Sequence, residues 1–431
     1  MEEIPDRALK EGNINNSPDP KVMGKIASEY RTKSDLDKNV STFMHKLTQQ
    51  YREEFPGEEL EGFIHFYSEY PVFYLLLMLE AVLMYALTKR SLPPGIKSTR
   101  TKPLFLYLDA TGSLLRKLFQ DLKRIYVYSL VMAGEGKYPP LEVSTFASSS
   151  HTTEDVCFWL DRVARNMKLL TTRRPVVDKL GTDCSLPLLQ AASRAFNGMS
   201  LTMYINLIFD AAINGLVVDH LTVLHICSSH MFCTARDKAK SSMTSKADQI
   251  LATKGLTALI HSTSLRSATE IVYHMLMVFG TIYEPENFRE STDFLLHSST
   301  EITADTDKKV LNVMSDISKI TSLKTTSFGR YFATLRKLSL LRGKFIQKKN
   351  ARYNGPFMAY LFNFLGPYYP LYSAIQIKRF GICRDSAAPI ENRWMIERKI
   401  DLKGKKHLPA HGGLEHVLNP SKDNHWDFFW G

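Results

Sequence analysis

The chain has 431 residues, enough for two or three domains' worth of core, and its 44% hydrophobic content is that of an ordinary globular protein. Its net charge of +11 is concentrated: residues 330–406 carry 17 Lys and Arg against 4 Asp and Glu, so the remainder is close to neutral. A basic block of this kind suits a polyanion partner. The five cysteines, Cys157, Cys184, Cys227, Cys233 and Cys383, show neither CxxC nor framework spacing, which excludes a disulfide scaffold and points to reduced thiols in cytosol or nucleus.

Residues 1–22 are polar and rich in Pro, Asn and Asp, the composition of a disordered tail, and the opening MEEIPDRALKEGN reads as neither a signal nor a transit peptide. Residues 23–95 read as a helical N-terminal region, with Phe43, Leu47, Tyr51 and Phe55 at amphipathic spacing. Next comes YPVFYLLLMLEAVLMYALT, residues 70–88. It is long enough for a bilayer crossing of roughly 20 residues, but Glu80 sits at its centre and no second span follows, so a buried helix is expected and no membrane. SLPPG, residues 91–95, ends the region.

Strand signals then cluster at residues 104–109, 124–132 and 141–147, the last two separated by a Gly-bearing turn at 134–137. A helix follows over 153–169, with Val156, Trp159, Leu160, Val163 and Met167 on one face. RRPVVDKLGTD, residues 173–183, is a fourth strand ending in an acid, and residues 221–226 are a short fifth one. Residues 231–385 read as a helical insertion. Residues 386–405 hold a last helix opened by Ala388-Pro389-Ile390-Glu391, and 406–431 form a C-terminal tail.

The chemistry centres on acids at strand ends. LFLYLDATGS carries an apolar strand into a small-residue turn at Ala110 to Ser113, leaving Asp109 at the strand's C-terminal edge, where α/β sheets usually place ligands. Asp183 ends the fourth strand in the same way. Carboxylates so placed suit a pair of hard divalent cations, Mg²⁺ or Mn²⁺, about 4 Å apart, one activating a nucleophile and the other stabilising the leaving oxygen. A third acid must come from a distant helix. Glu391, after a Pro that fixes the helix start, is the first choice and Glu397 the second. Cys227 and His230 offer two soft ligands, half a zinc site, with Cys233 as an incomplete third.

These residues resemble the DDE transposases of eukaryotic cut-and-paste elements, enzymes with a ribonuclease H-like fold. LYLDATGS is similar to the strand bearing their first acid, and DKLGTDCSLPLLQAASRAF to the strand and helix bearing the second. LHICSSHMFCTARDK resembles the C-x-x-H motif of the hAT, Mutator-like and Kolobok superfamilies, and ENRWMIERK the terminal helix with the third acid. The resemblance covers residues 62–399. It implies a ribonuclease H-like mixed sheet over 96–230, interrupted by an all-helical insertion and completed by the helix at 386–405. It implies an Asp109–Asp183–Glu391 triad holding two Mg²⁺ or Mn²⁺ ions, Cys227 and His230 supporting the fold beside it, DNA as partner, a homo-oligomer and a nuclear location. Arg342, Lys344, Lys348, Lys349, Arg352, Lys378 and Arg379 would line a DNA groove beside Glu391. Trp394 reads as core rather than a base-stacking residue.

The chain departs from those enzymes in showing no separate N-terminal DNA-binding domain, which keeps open a catalytically decayed, host-adopted binding factor. A rival class is also open. DATGS resembles the nucleophile motif of haloacid-dehalogenase-type phosphatases, with Asp178 and Asp183 imitating their later metal-binding acids, although strands that follow as a meander fit such a fold poorly.

Overall fold

A computed structural model describes Gln49 and residues 64–68, 72, 74–78, 82–83, 86–87, 103–111, 125–133, 140–171, 175–297 and 326–391. The chain divides into two compact units, Met1–Gly57 and Glu58–Gly431, and every element below belongs to the second. The expected disordered tail, the Phe43–Leu47–Tyr51–Phe55 stripe, Glu80, Trp394, Glu397 and the tail at 406–431 lie outside the described residues.

The centre is a seven-stranded sheet: β1 (Ile64–Ser68), β2 (Tyr74–Met78), β3 (Phe105–Thr111), β4 (Tyr126–Met132), β5 (Leu141–Ser148), β6 (Lys179–Thr182) and β7 (Val223–Ile226). The spatial order is β1-β2-β5-β4-β3-β6-β7. β3, β4 and β5 form an antiparallel meander. The chain then crosses over through α1 (Thr153–Leu170), so that β6 lies parallel to β3, and β7 parallel to β6. A mixed sheet of this order is consistent with a ribonuclease H-like core.

α1 forms where the periodicity places it. Thr152 and Asp155 close a capping box at its start. Val156, Trp159, Leu160, Val163 and Met167 are all fully buried against the sheet. Trp159 satisfies its indole N–H by donating to Ser144 Oγ at 2.8 Å, which lets a large polar-tipped ring sit in the core. α2 (Leu186–Asn197) and α3 (Leu201–Ile213) follow β6. They are separated by Gly198, whose φ of 67° stops α2 in the left-handed conformation that favours glycine.

Three expectations are corrected. Residues 70–88 are not one helix: Tyr74–Met78 is strand β2, paired with β1 on one side and β5 on the other, and helix is found only later, at Val82, Leu83, Ala86 and Leu87. A continuous apolar run looks the same whether it is a buried helix or a strand covered on both faces, and Leu75, Leu76, Leu77 and Met78 are all buried. No helix among the described residues is long and apolar enough to cross a membrane. The fourth strand is also shorter than expected, because residues 175–178 are a bend. There Asp178 is fixed by Leu104, whose amide donates to its Oδ2 at 2.7 Å.

The third correction concerns the stretch after β7. Helices dominate: α4 (Ser228–Ser242), α5 (Lys246–His261), α6 (Leu265–Phe279), α7 (Phe288–His297) and α8 (Ser327–Arg342). A two-stranded ribbon nevertheless stands among them, β8 (Tyr283–Pro285) paired with β9 (Phe345–Lys349). Every residue of β9 is exposed, so no alternation of buried and exposed positions marked it as a strand. α9 (Gly355–Tyr360) runs on through a π-helical turn at Leu361–Leu365 to α10 (Tyr369–Tyr372) and α11 (Ala374–Ile377).

Side chains alternate between the faces of a strand. Leu106, Leu108, Leu180, Leu224 and Ile226 therefore share the face that joins the main core. Phe105, Tyr107, Asp109, Lys179, Asp183, Val223, His225 and Cys227 share the other. The chain after α11 returns across this second face: Ala374 and Ile377 pack on Val223, with Phe380 and Ile382 against them, and Phe380 meets Phe105 edge-on at 5.1 Å.

Candidate active site

The parallel ladder between β3 and β6 ends on the pair Leu108 and Thr182. The next residues on the two chains are Asp109 and Asp183. Neighbouring strands run about 4.8 Å apart, so the register brings both acids to the end of this parallel ladder. β3 does not turn immediately after Asp109, as expected from its small residues, but continues to Thr111 in pairing with β4. Asp109 Oδ1 accepts from the Ala110 amide at 2.7 Å. Ser129, directly across from Asp109, donates to Glu142 at 2.8 Å, and Thr145 donates to the same carboxylate. A further acid is thus held one side chain away from Asp109, a placement set by strand register and invisible in the local sequence.

Asp183 is enclosed. Burial pushes its carboxyl above the usual range, against the charge of His230 and the Ser185 amide. Its Oδ1 is buried without a hydrogen-bond partner. An orphaned carboxylate oxygen beside a second carboxylate is the donor set a hard cation takes, so Asp109 and Asp183 fit Mg²⁺ or Mn²⁺. The raised pKa arises mainly from desolvation rather than from repulsion between acids.

Glu391 reaches the same face by a different route. Cys227 ends β7 and opens α4, and His230 lies one turn on. His230 Nε2 stands 3.5 Å from Glu391 Oε1, and ligand atoms of Cys227, His230 and Glu391 all lie within 4.8 Å of one another. Since the charges of both Asp183 and Glu391 act on His230, that ring links the second and third acids. The polar contact with the Cys227 sulfur, followed by the charges of Cys227, Glu391 and Asp183, raises His230 to about 9 in spite of its burial. Burial works to raise the Cys227 thiol in turn. The His230 contact and charge and the Ala387 amide outweigh it and bring the thiol below its ordinary value.

Three hydrogen bonds hold the Glu391 segment there. The Ser228 amide donates to the Asp385 carbonyl at 2.8 Å, while the Asp385 amide donates to Ser228 Oγ at 3.1 Å. The Ala387 amide donates to Cys227 Sγ at 3.2 Å. Asp385 also sends its carboxylate beneath the sheet face, where Lys179 forms an ion pair with it and Tyr107 donates to it at 3.0 Å. Lys179 is completely buried, and burial lowers its pKa against the opposing pull of Asp385. Gly181, between Tyr107 and His225 in the ladder, makes this arrangement possible. A Cβ there would come within 2.8 Å of the Tyr107 ring and 3.3 Å of Asp385 Oδ2.

The basic residues divide. Arg342, Lys344, Lys348, Lys349 and Lys378 are exposed, with Lys348 paired to Glu284 at 2.9 Å. Arg352 is engaged internally, 3.0 Å from Asp248. Arg379 does not stand beside Glu391. It donates to the carbonyls of Val218 and Leu221 ahead of β7, the end of that strand opposite Cys227. Asp178 likewise sits at the start of β3, two turns of the pleat away from Asp109, and cannot join it as a metal-binding acid. With β3 and β4 antiparallel, the phosphatase alternative loses its topology and, with Asp178, one of its two later acids.

Neither a family model nor a curated protein matches the sequence. Among solved structures, the Drosophila P element transposase strand transfer complex is similar at a TM-score of 0.24 and 13% identity, over 74% of this chain and 76% of that chain.

Proposed function

We propose that the chain is a DDE transposase-like polynucleotidyl transferase or nuclease acting on DNA in the nucleus, with Asp109, Asp183 and Glu391 as its three acids. The observation that supports this reading is the β3–β6 register, which ends on Leu108 opposite Thr182, the residues just ahead of Asp109 and Asp183. Asp109 and Asp183 would hold the divalent ions. Bound there, such ions supply Lewis-acid activation of water and stabilisation of the leaving 3′-oxygen. The enclosure of Asp183 serves the binding step, because a desolvated carboxylate binds a cation more strongly than a hydrated one. His230 orients Glu391 at the rim, and the contacts of Ser228 and Cys227 fix the depth at which that acid is presented.

The test is metal-dependent cutting. Purified chain with Mg²⁺ or Mn²⁺ should nick or join DNA, with substrates taken from inverted repeats flanking the gene. Asp109→Asn preserves the side-chain shape while removing an anionic ligand, and should lower the rate by at least about a thousandfold, or about 4 kcal/mol, while circular dichroism and DNA affinity stay at wild-type values. Ca²⁺ should support binding without efficient cutting. DNA binding with no metal-dependent cleavage on any repeat-derived substrate would replace this reading with that of a catalytically decayed binding factor.

A further inference from the structure

We infer that Cys227, His230 and Glu391 form a binding site for a zinc-type divalent cation, beside the oxygen-ligand site assigned to Asp109 and Asp183 and sharing with it the third acid, Glu391. The three ligand atoms are a thiol sulfur, an imidazole nitrogen and a carboxylate oxygen, all within 4.8 Å of one another. Tetrahedral bonds to zinc of about 2.0–2.3 Å put ligands about 3.4–3.7 Å apart. The His230–Glu391 separation of 3.5 Å already meets that spacing, and the remainder needs an inward movement of roughly 1 Å.

The donor set selects the ion. Sulfur and imidazole nitrogen favour zinc or cobalt over magnesium, which takes oxygen and keeps its water. The site is built in advance of the metal. Cys227 and His230 project from the first turn of one helix, and Glu391 is delivered by a segment stitched to that turn through Ser228–Asp385 and Ala387–Cys227 contacts. The buried, unpartnered Asp183 Oδ1 lies on the same face, and its charge acts on His230. Access is open from outside, since the His230 and Glu391 side chains are 25% and 45% exposed while the sulfur forms the floor. Three protein ligands with one open position is the arrangement of zinc sites that keep an exchangeable water.

The assignment does not rest on the nuclease reading, because metal binding alone tests it. The chelator-treated full chain is titrated with Co²⁺, whose bond to a thiolate gives a near-ultraviolet charge-transfer absorption. One equivalent should produce the band, Zn²⁺ should abolish it by displacement, and a large excess of Mg²⁺ should not. Cys227→Ser should remove the band, and His230→Ala and Glu391→Gln should each weaken Co²⁺ binding by about tenfold or more. Because the sulfur also accepts the Ala387 amide, Cys227→Ser can cost folding, so the His230 and Glu391 variants, on the exposed side, serve as the independent check. No band in the wild-type chain, or a band of unchanged affinity in both of those variants, overturns the assignment.

Discussion

His225 is fully buried at the centre of the second sheet face, with neither ring nitrogen hydrogen-bonded. Its neighbours are Asp385, whose Oδ2 is 3.9 Å from Nδ1, and the Lys179 ammonium paired to that same carboxylate. Burial pulls the imidazole down to about 4, with Asp385 acting against it and Lys179 with it. The consequence for stability has a definite sign. Between pH 6.5 and 4 the unfolded chain binds a proton at this position and the folded one does not, so stability is complete above about 6.5 and falls as the solution is acidified. One proton corresponds to about 1.4 kcal/mol per pH unit, hence up to about 3 kcal/mol over the interval. His261 and His274 are lowered too and add slopes of the same sign. The measurement is therefore a comparison, by urea denaturation at several pH values, of wild type with His225→Leu. The variant's stability should depend less steeply on pH by one proton between 6.5 and 4, and parallel curves would refute a buried neutral His225.

At the level of the element, β2 separates two physical accounts of residues 70–88. As a strand it is bonded on both edges: Leu76 stands opposite Phe66 of β1 and Phe146 of β5. Leu76→Pro removes an amide from the ladder and clashes with the pleat, and should cost about 3 kcal/mol or more. Hydrogen exchange should show the wild-type amides of 74–78 among the slow ones, and loss of β5 protection along with β2 in the variant. If β5 kept its protection, the pairing of β2 with β5 would be wrong. α1 was legible because its burial leaves a period, the stripe of Val156, Trp159, Leu160, Val163 and Met167, and the meander β3 to β5 because turn residues punctuate its apolar runs. Asp109 stands inside β3 and Asp183 just past β6, places that the strand signals ahead of them already suggested. β2 was not legible, since an unbroken apolar run has no period, and neither was the fully exposed β9. Asp385 and Glu142 left no local signal either. Their importance comes from Lys179, Ser129 and Thr145, residues brought to them by the fold.

For the molecule as a whole, the excess of positive charge is the property that decides what it can approach. The structure sorts that charge into two kinds. Arg352 and Arg379 are tied to Asp248 and to backbone carbonyls, so a polyanion finds their donors already in use. Lys344, Lys348 and Lys349 stand exposed on β9 or just ahead of it, with Lys348 making one surface ion pair of the sort that contributes little to stability. A phosphate backbone would engage this second group, and each cation that neutralises a phosphate releases a counterion, adding about 0.9 to the slope of log affinity against log salt. Replacing Lys344, Lys348 and Lys349 together by Gln should therefore reduce that slope by roughly 2 to 3 and weaken binding alike on every duplex sequence. The same replacement should leave the unfolding free energy within about 0.5 kcal/mol of wild type, since none of the three is buried. Arg352→Gln with Arg379→Gln should do the reverse, lowering stability while leaving the salt slope alone. Fluorescence anisotropy with labelled duplex, repeated from low to physiological salt, reads the slopes, and urea denaturation reads the stabilities. A triple variant with the wild-type slope would mean that DNA, if bound, is held by some other surface.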